Sequence, residues 1–295
     1  MNPIFECLYV AESKELGGLA WTGSGMLFAD LGASMIRCFN PDTGKTDIWR
    51  RYTNRTNGIA FGPDGALYAA QESGRRVVRL LEDGSSRPTC SVLDGRYQNH
   101  PTFVAVDPAG SVWISDCFSV HPAAGPQIFP MQDCESVLRL RRSPQRPAGW
   151  CLERMVSGIE FPRGIAVSPA GDRLYVASAL KGGNAGELCA YLIDEHGALG
   201  PKSVPYRADT AIHGLCVDDA GRVLACLDRL HGTTAGGIAI IDCEGAREDL
   251  WGVPGYTPIQ CAFGGPANDE LYVTTRQGAL LRAVGMRGSI DARER

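Results

Sequence analysis

Long apolar runs are missing from this sequence. No stretch approaches 18 consecutive apolar residues, which excludes a membrane-spanning helix. A surplus of charge of one sign is also missing. The chain of 295 residues sets 29 Lys and Arg against 33 Asp and Glu, a formal net charge of −4. That near-balance argues against a nucleic-acid partner, which would want a basic face. Helical periodicity is absent throughout. The 11 cysteines include no CxxC pair, which excludes zinc knuckles and thioredoxin-type redox motifs. GxSxG, HExxH, the P-loop and GxGxxG are absent, so the chemistries tied to those motifs lack their signatures. The N-terminus has no basic region, and Glu6 interrupts its short apolar stretch, so no cleaved signal peptide is expected. With an odd number of scattered cysteines, the expected compartment is the reducing cytoplasm. Cys38, Cys189, Cys216, Cys226, Cys243 and Cys261 lie in apolar, strand-like runs and read mostly as buried free thiols.

The composition is that of a folded chain, with 44% apolar and 21% charged residues. One signature recurs: a short apolar run, a turn rich in Pro, Asp and Gly, then a second apolar run. It begins at Gly18-Leu19-Ala20-Trp21, Gly58-Ile59-Ala60-Phe61, Val104-Ala105-Val106, Gly164-Ile165-Ala166-Val167, Gly214-Leu215-Cys216-Val217 and Cys261-Ala262-Phe263. Gly62-Pro63-Asp64-Gly65 and Ser168-Pro169-Ala170-Gly171 are typical turns. Proline presets φ and glycine accepts positive φ, so each copy is a hairpin. A third strand follows each hairpin, as in Val77–Leu81, and in most copies a fourth, as in Thr46–Trp49. Four strands repeating every roughly 40–60 residues is the pattern of a β-propeller. The fold expected is all-β: a six-bladed propeller of four-stranded antiparallel blades over residues 1–287, with a polar tail at 288–295. The last copy is short of its outer strand. Phe5–Val10 is expected to supply it and close the ring, which removes exposed sheet edges.

The repeat resembles the SMP-30/gluconolactonase/luciferin-regenerating family of six-bladed propellers. Phe161-Pro162-Arg163-Gly164-Ile165-Ala166-Val167-Ser168-Pro169 is similar to that family's F-P-N-G-[IL]-x-[FW]-S-P. Cys261–Pro266 leading into Leu271–Thr275 is similar to its last blade. The resemblance runs over roughly residues 5–285. It implies lactone hydrolysis at one axial divalent cation, often Ca²⁺, held in an oxygen-rich cage. At the positions of that cage this chain departs. Gly17 stands for the first-blade Glu, Arg163 for the fourth-blade Asn and His213 for the fifth-blade Asp. Thr102 replaces the third-blade Asn, His100 the substrate-side Arg of some members, and Ile259-Gln260 the last-blade Thr-Asn. A guanidinium cannot ligate a cation and repels one. No cofactor is therefore expected. The alternative is a rebuilt divalent site from Asn57, His213, His100 and Asp116, where imidazole favours a softer metal.

Asn57, Thr102, Arg163, His213 and Gln260 come from five blades and share one repeat register. They are expected to ring the axial cavity and bind a small molecule. Arg163 suits a carboxylate or an oxyanion. His213 and His100 have the range for proton transfer, and Asp116 is placed to orient one of them. The plain structural alternatives are that Arg163 pairs with Asp116 or Glu72 and that Asp116 caps a turn. Cys117 is a further candidate nucleophile if a histidine lowers its pKa.

One insertion, 117–133, breaks the repeat between the second and third strands of blade three. Its Phe118, His121, Ile128, Phe129 and Met131 suggest a lid or substrate wall, with Phe118, Phe129 and His121 on the substrate. The alternative is a loop packed outside the blade. The loops 181–186 and 229–234 are expected on the same rim. The reading is an enzyme without a metal, a lactonase-like hydrolase or a lyase, cyclase or isomerase derived from that fold, acting as a monomer. A non-catalytic metabolite- or protein-binding propeller, which would show a plugged axis, is the other class.

Overall fold

The computed structural model describes residues 2–119, 121–145, 149–180 and 185–286. The expected 288–295 tail lies outside them. Six four-stranded antiparallel sheets form the blades of one propeller. From axis to rim, blade I is Leu16–Trp21, Met26–Asp30, Met35–Asn40 and Lys45–Arg51. Blade II is Thr56–Phe61, Leu67–Gln71, Arg76–Leu80 and the short Ser86–Pro88. Blade III is Pro101–Val106, Val112–Asp116, Ser136–Arg142 and Trp150–Ser157. Blade IV is Ile165–Val167, Arg173–Ala179, Gly186–Leu192 and Ser203–Ala208. Blade V is Ile212–Val217, Val223–Leu227, Gly236–Ile241 and Arg247–Val253. Blade VI is Pro258–Gly264, Glu270–Thr275 and Ala279–Ala283, completed by Glu6–Val10. That N-terminal strand pairs antiparallel with the last one, Glu6 opposite Arg282 and Val10 opposite Ala279, and closes the ring. A small hairpin, Val92–Leu93 with Arg96–Tyr97, links blades II and III; the repeat gave no sign of it.

The turn glycines Gly65, Gly110, Gly171 and Gly221 all have φ between 72 and 85°, as the hairpin signature requires. The second strand of each blade is buried on both faces, and its side chains alternate between neighbours. Ala66, Tyr68 and Ala70 pack toward blade III, whereas Leu67 and Ala69 pack toward blade I. The core is accordingly not one mass but a layer of apolar side chains at each junction between blades. The cysteines are all free thiols; Cys189, Cys226 and Cys261 fill these layers. Cys243 does not: it is exposed, just past the third strand of blade V. Among the described residues no helix is long and apolar enough to cross a membrane.

The innermost strands share a defect that builds the site. In blades I, II, III, V and VI the pairing slips by one residue near the strand start, as between Thr56 and Ile59 and between Ile212 and Leu215. Such a bulge re-aims the residue it displaces. The displaced residues include Gly17, Asn57, Thr102, His213 and Ile259. The glycine that follows in several copies is a packing requirement at the crowded axis. A Cβ on Gly58 would lie 2.5 Å from Phe103 Cα of the next blade.

Candidate active site

At the end of the propeller where the innermost strands begin, two cavities open beside each other. The axial one, ≈ 320 Å³, is lined by Asn57, Glu72, His100, Thr102, Arg163 and Ile259, with Phe118 and His121 over it. The second, ≈ 500 Å³, lies toward the rim on blades V and VI and includes His213, Asp228, Arg229 and His231. Arg163 and Arg276 line both. The axis is therefore open.

Arg163 is anchored by blades IV and V together. Its N–H donates to Ala177 O at 2.8 Å, and the next N–H, of Gly164, donates to His213 O at 2.8 Å. The guanidinium lies 4.4 Å from the centroid of the Phe161 ring, and its Nη1 donates to His213 Nδ1 at 3.2 Å. On its other side the imidazole Nε2 is 2.9 Å from Asp228 Oδ1. Asp228 also pairs with Arg276. These contacts fix the tautomer. Arg276 Nη2 also lies 3.1 Å from Nε2, but the Asp228 carboxylate there can only accept, whereas Nδ1 faces a cation alone, so the ring proton is assigned to Nε2 and points at Asp228. Burial lowers the His213 pKa against the opposing pull of Asp228, so the ring is neutral. The hydrogen bond from His213, then Arg276, holds Asp228 below the usual carboxylate range. His213 thus has neither lone pair nor free proton for a substrate. It orients Arg163.

The other half of the axial cavity belongs to blades II and III. Glu72 is 5% exposed. Its Oε1 accepts from Asn57 Nδ2 at 2.8 Å, and its Oε2 is 3.6 Å from Arg55 Nη2 and 3.8 Å from His100 Nε2. Burial raises its pKa, against the lowering effect of Asn57 and Arg55. His100 is pulled down to about 4, chiefly by burial and then by His121, whose ring stacks on it at 5.9 Å. Its Nε2 has no hydrogen-bond partner. Thr102 donates to His100 O at 3.0 Å and lies 3.1 Å from Cys117 Sγ. Burial pushes the Cys117 thiol up to about 12, so no thiolate forms there.

Several sequence-based expectations change in this geometry. Asp116 meets no imidazole: it accepts the backbone N–H groups of Asn99 and His100 at 2.9 and 2.8 Å, and full burial raises its pKa to about 7. It braces the strand entry, close to the turn-capping alternative. Arg163 pairs with neither Asp116 nor Glu72. Gln260 does not line the cavity, because the bulge turns Ile259 inward and lays the Gln260 amide over Gly214. The 117–133 insertion does cross the mouth. Ala124 N–H reaches Ser73 O at 2.8 Å on blade II, and Phe118, Ser119 and His121 join the cavity wall. Phe129 does not join it; its ring packs edge-on against Tyr97 at 5.3 Å. Of the expected rim loops, Arg229–Gly232 line the second cavity, while 181–184 lie outside the described residues.

Glu72, Asp228 and Arg276 were not legible as site residues. Each is the residue just past the second strand of its blade, in register with Cys117 of blade III. That register was the available signal. Among the described residues no group of three or more His, Cys, Asp or Glu side chains is arranged to hold a metal ion.

Comparisons with known proteins agree with this architecture. The chain is 25% identical to a pentonolactonase of Haloferax volcanii over 261 residues, 86% of this chain and 78% of that protein. It is 24% identical to a gluconolactonase of Zymomonas mobilis over 267 residues, 84% of this chain and 72% of that one. Among solved structures, a gluconolactonase of Xanthomonas campestris superposes with a TM-score of 0.81 at 24% identity, covering 96% of this chain and 89% of that one. A calcium-binding regucalcin of Agrobacterium tumefaciens superposes with a TM-score of 0.73 at 16% identity, covering 95% and 93%. At such identities the structural likeness speaks for the fold. Residues 17–277 match the family described as the SMP-30/Gluconolactonase/LRE-like region, and the chain belongs to that family.

Proposed function

We propose that this protein is a lactone hydrolase that works without a resident cation, using Arg163 as the electrophile and Glu72 as the base. The observation that carries the reading is the Arg163 guanidinium, held on the axis by the Asp228–His213 chain. The names of the two relatives, a pentonolactonase and a gluconolactonase, support lactones of the aldonic type as the substrate class.

The donor set does not suit the divalent cation that the family resemblance implies. Arg163 and Arg276 both face the cavity, and two fixed positive charges oppose a third. The carboxylates are already engaged, Glu15 and Glu72 by Arg55, Glu72 also by Asn57, and Asp228 by His213. Gly17, at the family's glutamate position, leaves room that the Asn57 amide fills. No step is therefore routed through a metal.

The chemistry follows from the two halves. The lactone carbonyl oxygen lies against the Arg163 guanidinium, which is preorganised and partly desolvated. The Glu72 carboxylate, made more basic by burial, takes a proton from water, and the resulting hydroxide attacks the carbonyl carbon. Arg163 holds the oxyanion. Collapse breaks the ring C–O bond, and the leaving alkoxide recovers the proton from Glu72. The product is the open hydroxy acid. His100, neutral, offers Nε2 to the substrate or the water.

The test is hydrolysis of glucono-1,5-lactone and a pentonolactone, followed by proton release, with elemental analysis and an EDTA titration of the same preparation. Turnover that survives EDTA in metal-free protein is the expected result. Activity that vanishes with EDTA and returns with Ca²⁺ or Mn²⁺ overturns the reading.

A further inference from the structure

The second cavity has no task in the mechanism above, although it shares Arg163 and Arg276 with the axial one. Its charged lining is three arginines, Arg163, Arg229 and Arg276, against Asp209 and Asp228, with the imidazoles of His213 and His231 between them. Asp228 already offsets Arg276, so the cations of this wall left to a ligand are Arg163 and Arg229. Asp228 is taken by His213 Nε2 at 2.9 Å and by Arg276. Asp209 lies at the exposed rim, 3.7 Å from His231 Nδ1. Arg163 meets no carboxylate among the described residues: its polar partner is a neutral imidazole nitrogen and its other neighbour is an aromatic face. Asp228 and Glu72 act on it only across space, and a largely buried cation with no direct ion-pair partner is costly unless a ligand supplies one. One lactone carbonyl engages one guanidinium and Arg276 is offset by Asp228, so Arg229 is a cation that a neutral lactone leaves unused.

Resting on the lactonase reading, we propose that the second cavity is an anion subsite, and that the substrate is a lactone carrying its own carboxylate or phosphate. The ring lies in the axial cavity with its carbonyl on Arg163. The charged arm crosses the shared wall past Arg276 to Arg229, where a planar guanidinium suits an oxyanion in two-point contact. The cavity of ≈ 500 Å³ is roomy enough for either group and for bridging water.

The experiment compares kcat/KM for three lactones of one sugar skeleton: the neutral aldonolactone, its carboxylate-ended analogue and its phosphate-ended analogue. A charged lactone is expected to exceed the neutral one by about 10-fold or more, mainly through KM, with the advantage shrinking as salt rises. Which charged analogue leads identifies the oxyanion. In R229Q the ratio of charged to neutral kcat/KM falls about 10-fold, and R229K recovers part of it. Equal turnover of all three lactones, or a ratio untouched by R229Q, overturns the subsite and leaves the lactonase reading intact. If none of the three is hydrolysed, the lactonase reading falls, and calorimetric binding of the open hydroxy acids decides the subsite. Tighter binding of the doubly charged acid, lost in R229Q, upholds it; equal binding overturns it.

Discussion

The two halves of the axial cavity handle buried charge in opposite ways. On blades IV, V and VI, Arg163 keeps its charge. A chain of contacts through His213 to Asp228 fixes where it points. On blades II and III, Glu72 is held by Asn57 while His100 Nε2 has no hydrogen-bond partner, and burial shifts both toward their neutral forms. The first half is a fixed electrostatic device, and the second holds the base and an open imidazole nitrogen for substrate and water. Groups whose surroundings push their pKa values apart from the ordinary are the mark of acid–base work. A held cation beside them is the mark of oxyanion stabilisation.

That contrast can be broken at its ends. E72Q removes the base while keeping an acceptor for Asn57, and kcat is expected to fall by about 10²–10⁴-fold with little change in melting temperature. A fall in stability with activity retained would make Glu72 structural. R163M removes the oxyanion donor, with an expected loss of about 10²–10³-fold in kcat. H213N should cost less, on the order of 10²-fold or below, because it loosens the aim of Arg163 without removing it. If H213N matched E72Q and also erased a limb of the pH profile, His213 would be the proton carrier after all.

The pH dependence sharpens the comparison further. Glu72 must be ionised to act, and burial moves the acid limb of kcat/KM up from the ordinary 4.5; a limb at or below 4.5 would contradict this assignment. His100 works through stability. Its folded pKa of about 4 lies below the ordinary 6.5, so the neutral ring contributes stability above pH 6.5 that is lost as pH falls toward 4. Asp116, raised to about 7, acts in the opposite sense, losing stability as pH rises from the ordinary 3.8 toward 7. The two overlap in the wild type. The difference in Tm between H100Q and wild type isolates His100, since Asp116 is common to both, and it should grow in favour of H100Q between pH 6.5 and 4. The smallest effects separate the two phenylalanines of the insertion. F118A should raise KM a few-fold, as expected of a residue at the cavity. F129A should leave KM alone and cost about 0.5–1.5 kcal/mol from its contact with Tyr97.

Asn57 and His213 were recognisable as candidate axial positions because they share one repeat register, and the bulge that the structure adds at each turns them toward the axial end of the propeller. Gln260 misled for the same reason. The slip in blade VI presents Ile259 in its place, and one residue of register moves a side chain to the other face. Glu72, Asp228 and Arg276 were overlooked because the motif directs attention to the innermost strand, while they sit past the second.

The sequence by itself determined the propeller, its blade count and the closure by Glu6–Val10. Alternation with period 2, turns with positive φ and a recurring hairpin signature are local signals that a chain cannot hide. It also placed Arg163 on the axis, but His213, expected there too, lines only the second cavity beside it. The pairing of Arg163 Nη1 with His213 Nδ1, the burial that lifts Glu72 and lowers His100, and the second cavity beyond Arg276 were decided only by the tertiary structure. A pKa, a tautomer and a counter-ion depend on what stands within a few ångströms, and those neighbours come from blades far apart along the chain.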